Sequence, residues 1–197
     1  MRKFELIAPC HFGLEAVLKK EIIDLGYDVT LVEDGRITFF GDEEAVSRAN
    51  VFLRSAERIL IKVGSFHAET FEELFQGTRS LPWEEFIPSD GKFWVAKAAS
   101  VKSKLFSPSD IQSIMKKAMV ERLKGVYHVS WFEEDGAPFP VRVFLMKDEV
   151  TVGLDTLSLI HISVRRSLPK RLTACTLWMG TRATSAKSAR GSTAAQF

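Results

Sequence analysis

The chain has 197 residues, 46% of them hydrophobic, with 27 Lys+Arg against 25 Asp+Glu. That length and apolar content supply one good core or two small ones, and they exclude a fibrous or wholly disordered chain. The net charge of +2 hides an asymmetry: residues 1–155 hold 20 Lys+Arg and all 25 acids, whereas residues 156–197 hold 7 Lys+Arg and no acid, so the total says little about partners.

Cys10 and Cys175, and the histidines His11, His67, His128 and His161, fall at no metal-ligand spacing, which argues against a zinc site. No apolar run reaches the ~20 residues needed to span a bilayer, and the N-terminus lacks the pattern of a secretory signal. The expectation is a cytoplasmic protein with neither metal nor membrane partner.

In chain order, Phe4–Ala8 reads as a strand, and Leu14, Val17, Leu18, Ile22 and Leu25 form a helical stripe that stops at Gly26. Tyr27, Val29 and Leu31 alternate as a half-buried strand does, and Asp34-Gly35 is a strong hairpin turn before Ile37–Phe40. A second helix starts at Asp42, with Ala45, Val46, Ala49, Phe52 and Leu53 inward, and Ile59–Val63 closes the series as a fourth strand. Strand, helix, strand, strand, helix, strand is the ferredoxin-like βαββαβ order, expected over residues 1–67.

The next part has a different order. Thr70 with Glu73 predicts a capped helix to about Arg79, Pro82–Phe86 a short helical turn, and Phe93–Ala96 a strand. A loop carrying Lys97, Lys102 and Lys104 follows. It leads into a helix with Ser107 as N-cap, Pro108 at the first position, Asp110 as a capping-box partner and Gly125 as a stop. Ile111, Ile114, Met115, Ala118, Met119 and Leu123 make its buried stripe, which leaves Lys116, Lys117 and Lys124 toward solvent. Pro140–Met146 and Val150–Leu154 read as a hairpin around Lys147-Asp148-Glu149. The result is an ααβαββ module over residues 68–155. From Thr156 the acids vanish and no sustained apolar period survives beyond Leu157–Ile162, so residues 156–197 read as an irregular or disordered tail. Such a tail is either a basic segment that folds on RNA or an out-of-frame end that does not belong to the fold.

Several strings occur in the order and spacing of a known family: Cys10-His11-Phe12-Gly13-Leu14-Glu15, Arg48-Ala49-Asn50, Leu53-Arg54, Ala56-Glu57-Arg58, Leu81-Pro82-Trp83, Ser103 through Lys117, and Val120-Glu121-Arg122-Leu123. On these residues the first 155 positions resemble the N-terminal half of bacterial THUMP-domain RNA methyltransferases, the family that includes the 23S rRNA guanine-N2 methyltransferases. The resemblance implies a ferredoxin-like domain, a THUMP RNA-binding domain and then a Rossmann-like domain that binds S-adenosylmethionine. That third part has no counterpart here. The one asparagine, Asn50, precedes Val51, no aspartate precedes a proline, and no GxGxG occurs. The expectation is a truncated family member with no catalytic or cofactor-binding residue of its own.

Paired carboxylates at Glu84-Glu85 and Glu133-Glu134-Asp135 read as solubilising, and Cys10-His11 lacks an orienting third group. Trp83, Trp94 and Trp131 are of a type that stacks on unpaired bases, but the ordinary place for them in a small domain is the core, and Trp83 after Pro82 reads as a packing plug. The candidate RNA contacts are Lys97, Lys102, Lys104, Lys116 and Lys117 for phosphates, with the hydroxyls of Ser103 and Ser107 for phosphate or a ribose 2′-OH. The partner implied is structured RNA, ribosomal RNA on the resemblance. The alternatives are the front end of another RNA-modifying enzyme, such as a tRNA thiolation enzyme, and a protein-interaction module without nucleic acid.

Overall fold

The computed structural model describes residues 3–157; of the expected tail, all but Thr156 and Leu157 lies outside the described residues. The first half comprises β1 (Phe4–Pro9), α1 (Glu15–Asp24), β2 (Val29–Glu33), β3 (Arg36–Gly41), α2 (Glu43–Phe52) and β4 (Leu60–His67). The second comprises α3 (Phe71–Ser80), a 3-10 turn at Trp83–Glu85, β5 (Lys92–Val101), α4 (Pro108–Tyr127), β6 (Pro138–Met146) and β7 (Glu149–Asp155). The fold is thus α+β, with the expected βαββαβ unit followed by an ααβαββ unit whose second helix is the short 3-10 turn.

Both units build one seven-stranded sheet in the order β2-β3-β1-β4-β7-β6-β5. The first four strands are antiparallel neighbours in the ferredoxin-like arrangement. β5 and β6 run parallel with α4 as the crossover, and β6 and β7 form an antiparallel hairpin. β4 belongs to both halves: only Leu60 and Ile61 pair with β1, whereas Leu60 through His67 follow β7. The two units therefore share β4, which ends at His67.

Local chemistry explains the starts of α2 and α3. The Asp42 carboxylate accepts from the Ala45 amide at 2.9 Å, and Thr70 and Glu73 close a complete capping box on α3. α4 departs from expectation at both ends. Ser107 makes no capping bond, its Oγ lying 3.2 Å from Ser109 Oγ, so the box with Asp110 does not form. Gly125 does not stop the helix, which runs on to Tyr127 and ends at His128 in the left-handed conformation, φ 54°. The extra turn is held because the Tyr127 hydroxyl donates to the Ile87 carbonyl at 2.6 Å, drawing the helix end onto the segment after the 3-10 turn.

The helices cover one face of the sheet in two clusters. Leu18, Ile22, Ala45, Val46 and Ala49 pack on Leu6, Ala8, Ile37 and Phe39; Leu74, Ile111, Met115, Met119 and Leu123 pack on Phe93, Val141, Val143, Val150 and Val152 with Trp83 among them. Phe86 touches both clusters. By strand alternation the other face carries Arg36, Thr38, Arg142, Phe144, Thr151 and Asp155. The Arg36 guanidinium lies 5.4 Å from the Phe144 ring centroid although β1, β4 and β7 separate their strands, so the sheet curls around this face, which carries no helix among the described residues.

Curling buries charge. Arg36 is 4% exposed and is held by a bidentate pair of 2.7 Å bonds to Glu33. Those bonds hold the Glu33 carboxyl below the usual carboxylate range, aided by the charges of Arg36 and Lys62 and opposed by burial. A depressed folded-state pKa stabilises the protein above the ordinary carboxylate pKa, and the contribution is lost as pH falls through the lowered value. Glu33→Gln is therefore expected to show its full destabilisation at pH 7 and a shrinking one below about pH 4. Urea unfolding of both forms across that range measures it; a pH-independent difference would mean that the charge on Glu33 contributes nothing.

Candidate nucleic-acid interface

The structure divides the nominated residues among three places. β5 runs ten residues, not four, so Lys97 lies on the edge strand at a bulge after Val95 instead of in a loop. A bulge resets the alternation that would have shown the strand's length in sequence. Lys116 was expected in solvent, but it is half-buried: its ammonium donates to the Phe93 carbonyl, sits 4.0 Å from the Phe93 ring centroid and pairs with Glu134 at 2.8 Å. Phe93 is at the far end of β5 from Lys102, about 30 Å away at ~3.3 Å per residue. Lys116 thus serves the fold at the opposite end of the unit. Lys117 points toward α3, its ammonium 5.8 Å from the Phe75 ring centroid, and is exposed.

The remaining residues come together in the turn between β5 and α4. The β6–β7 turn packs beside it because parallel pairing sets Val101 opposite Met146. The Lys147 amide donates to the Val101 carbonyl at 3.2 Å, Ser103 Oγ donates to the same carbonyl and accepts from the Asp148 amide, and the Lys104 amide donates to the Asp148 carboxylate at 2.7 Å. Ser103 is therefore a latch between turns, and its hydroxyl is occupied. Lys104 is ion-paired with Glu69, which also faces His67 at 3.6 Å. The pair shifts as a direct contact should, with the Lys104 ammonium raised above and the Glu69 carboxyl lowered below their ordinary values by the hydrogen bond between them.

What stands clear at this end is Lys102, Lys147 and Phe106. Lys102 and Lys147 are exposed and adopt left-handed backbone conformations, φ 52° and 53°. For residues other than glycine this conformation costs about 1 kcal/mol, and it concentrates at functional turns. Lys97 and Lys102 make no side-chain hydrogen bond or ion pair among the described residues. Phe106 is 83% exposed. Lys147 and Phe106 carried no signal in the sequence alone; the turn holding Lys147 was legible, but its neighbour was not. Of the tryptophans, Trp83 is fully buried as expected, whereas Trp94 and Trp131 are 38% and 79% exposed.

Lys147 also borders a concave surface that carries acids. A groove of about 390 Å³ between the β2–β3 and β6–β7 turns is lined by Glu33, Asp34, Arg36, Met146, Lys147 and Glu149, with acids in excess. The parallel crossover β5–α4–β6 resembles the start of a nucleotide fold in outline. Its loop, Lys102 through Ser107, contains no glycine. Among the described residues no cluster suits a metal ion and no helix is long and apolar enough to cross a membrane.

An antiparallel ferredoxin-like sheet continued through a shared strand into an ααβαββ unit defines the class, a THUMP-containing protein. Residues 68–155 match the THUMP domain and residues 5–60 match the RlmL ferredoxin-like domain. The chain therefore carries an RlmL-type ferredoxin-like domain followed by a THUMP domain, and the relatives that share them include RNA methyltransferases. It is 47% identical over 159 residues to YpsC of Bacillus subtilis, a protein named as an RNA methyltransferase, covering 79% of this chain and 40% of that protein. It is 31% identical over 91 residues to the ribosomal RNA large subunit methyltransferase K/L of Cellvibrio japonicus, covering 46% of this chain and 12% of that protein. The crystal structure of SMU.472, described as a methyltransferase complexed with SAH, superposes with a TM-score of 0.73 at 46% identity, covering 79% of this chain and 42% of that one. The chain thus spans less than half the length of these relatives.

Proposed function

We propose that the chain is the RNA-binding front end of an RNA methyltransferase, holding structured RNA at the paired turns after β5 and β6. The observation that carries this is the juxtaposition of Lys102 and Lys147, two exposed cations on neighbouring left-handed turns of a THUMP domain. Lys97 on the edge strand and Lys117 on α4 extend the cationic surface. Lys104 joins it when a phosphate displaces Glu69, and Ser107 offers a hydroxyl beside the same loop. Ribosomal RNA is the substrate class suggested by the K/L relative, with the guanine N2 amine as target. Methyl transfer from S-adenosylmethionine then falls to the part of the relatives' length that the chain does not match.

So few cations make a weak, salt-sensitive binder that positions RNA without reading its sequence. The test is fluorescence anisotropy with a labelled RNA hairpin over a salt series. Changing Lys97, Lys102 and Lys147 together to Ala is expected to weaken binding at least tenfold and to flatten the slope of log K against log salt by about 2 to 3. Lys116→Met is expected to lower stability and leave the slope unchanged. An unaltered slope in the triple variant would sink the assignment.

A further inference from the structure

The most exposed large apolar side chain among the described residues is Phe106, at 83%, and it lies in the same turn as Lys102. A lone exposed phenylalanine is ordinary on a protein surface. Phe106 differs because the backbone that carries it is fixed from both sides. Leu105 before it is 5% exposed and accepts from the Ser100 hydroxyl through its carbonyl, while Ser107 after it accepts from the Ile111 amide at 3.1 Å. The Ser103 and Lys104 contacts to Asp148 hold the rest of the turn. The ring is thus presented on a fixed backbone in a turn that carries Lys102 and Lys104, where the acids Asp148 and Glu69 are engaged by Lys104. The other two highly exposed aromatics sit in segments without a lysine: Trp131, 79% exposed, precedes Glu133-Glu134-Asp135, and Phe12, 76% exposed, lies in the segment between β1 and α1.

We propose that Phe106 is a stacking platform for an unpaired base of the bound RNA, with Lys102 and Lys147 holding the phosphates that flank that nucleotide. An aromatic face accepts any base, and a base inside a helix is already stacked on its neighbours, so such a platform selects RNA with an unpaired segment over a continuous duplex. This rests on the RNA-binding reading above and adds to it a preference for unpaired nucleotides.

The experiment compares two labelled RNAs, a hairpin with a single-stranded extension and a blunt duplex of equal charge, against the full chain and its Phe106→Ala and Phe106→Tyr forms. Phe106→Ala is expected to weaken binding of the extended hairpin by about 5- to 100-fold and to leave the duplex unchanged, with Phe106→Tyr near wild type. Because the ring is exposed, thermal unfolding of all three forms should coincide. Equal affinities of wild type and Phe106→Ala for the extended hairpin, or equal losses on both RNAs, would overturn the platform while leaving the lysine interface standing. Absence of binding by the unmodified chain to either RNA would overturn the RNA-binding reading and the platform with it.

Discussion

Asp155→Ala is expected to destabilise the protein by about 3–5 kcal/mol, a large part of the ~5–15 kcal/mol that holds a domain of this size together. Asp155 is 3% exposed and lies at the end of β7, where its carboxylate meets Arg58 at 2.5 Å and Arg142 at 3.6 Å. Burial and the nearby charge of Arg58 push the Arg142 guanidinium down from its ordinary value, while Asp155 and Glu57 act in the other direction. Without Asp155 the two guanidiniums would face one another with Glu57, 4.0 Å from Arg142, as the remaining acid. The position also joins the halves of the molecule: Arg58 precedes β4, Arg142 is on β6, and Thr156, next in the chain, donates to the Ile59 carbonyl and accepts from Asn50. Urea or thermal unfolding checks the expectation. Asp155→Asn, which keeps the shape and removes the charge, should fall between, and wild-type stability in Asp155→Asn would mean that packing alone accounts for the site.

None of that network was visible in the sequence. Alternation, caps and turn residues are local signals, and they placed α2 and α3 at their caps and the β2–β3 hairpin at Asp34-Gly35. Pairing of β4 with β7 is not local, since His67 meets Glu149 across the whole second unit. A chain read in order therefore closes its first domain at β4, and the shared strand goes unseen. The same separation hid the fate of the lysines. Lys104 finds Glu69 and Lys116 finds Glu134 only after folding. Spacing marked both as cations; in the fold Lys116 is half-buried, whereas Lys104 stays exposed with Glu69 as its partner. The pattern of β3 and β6 gives no hint that the face carrying Arg36 and Arg142 curls shut.

Trp83 shows the opposite case, in which a local signal sufficed, and its replacement is the other large effect expected. Pro82 cannot continue a helix, so the chain turns immediately after α3, and an aromatic residue at that turn is directed back over the sheet. Trp83 is 0% exposed, the largest fully buried side chain of the fold, and its indole donates to the Thr78 carbonyl near the end of α3 at 2.7 Å. Trp83→Ala removes that volume and one of the two donors to the Thr78 carbonyl, the Leu81 amide being the other, an expected cost of about 3–5 kcal/mol. Trp83→Phe retains most of the packing and loses the hydrogen bond, so its cost should be near the lower part of that range or beneath it. Because Trp83 packs with Leu74 and Met119 in the cluster under β5 and β6, the loss should appear first as looser tertiary packing around α3 and α4. Hydrogen exchange read by region is the decisive measurement: protection should fall in α3, α4 and β5 of Trp83→Ala while the β1–β3 amides keep theirs at moderate denaturant. Uniform loss across both halves would mean that the shared β4 strand couples them into one cooperative unit, and that the second core cannot loosen alone.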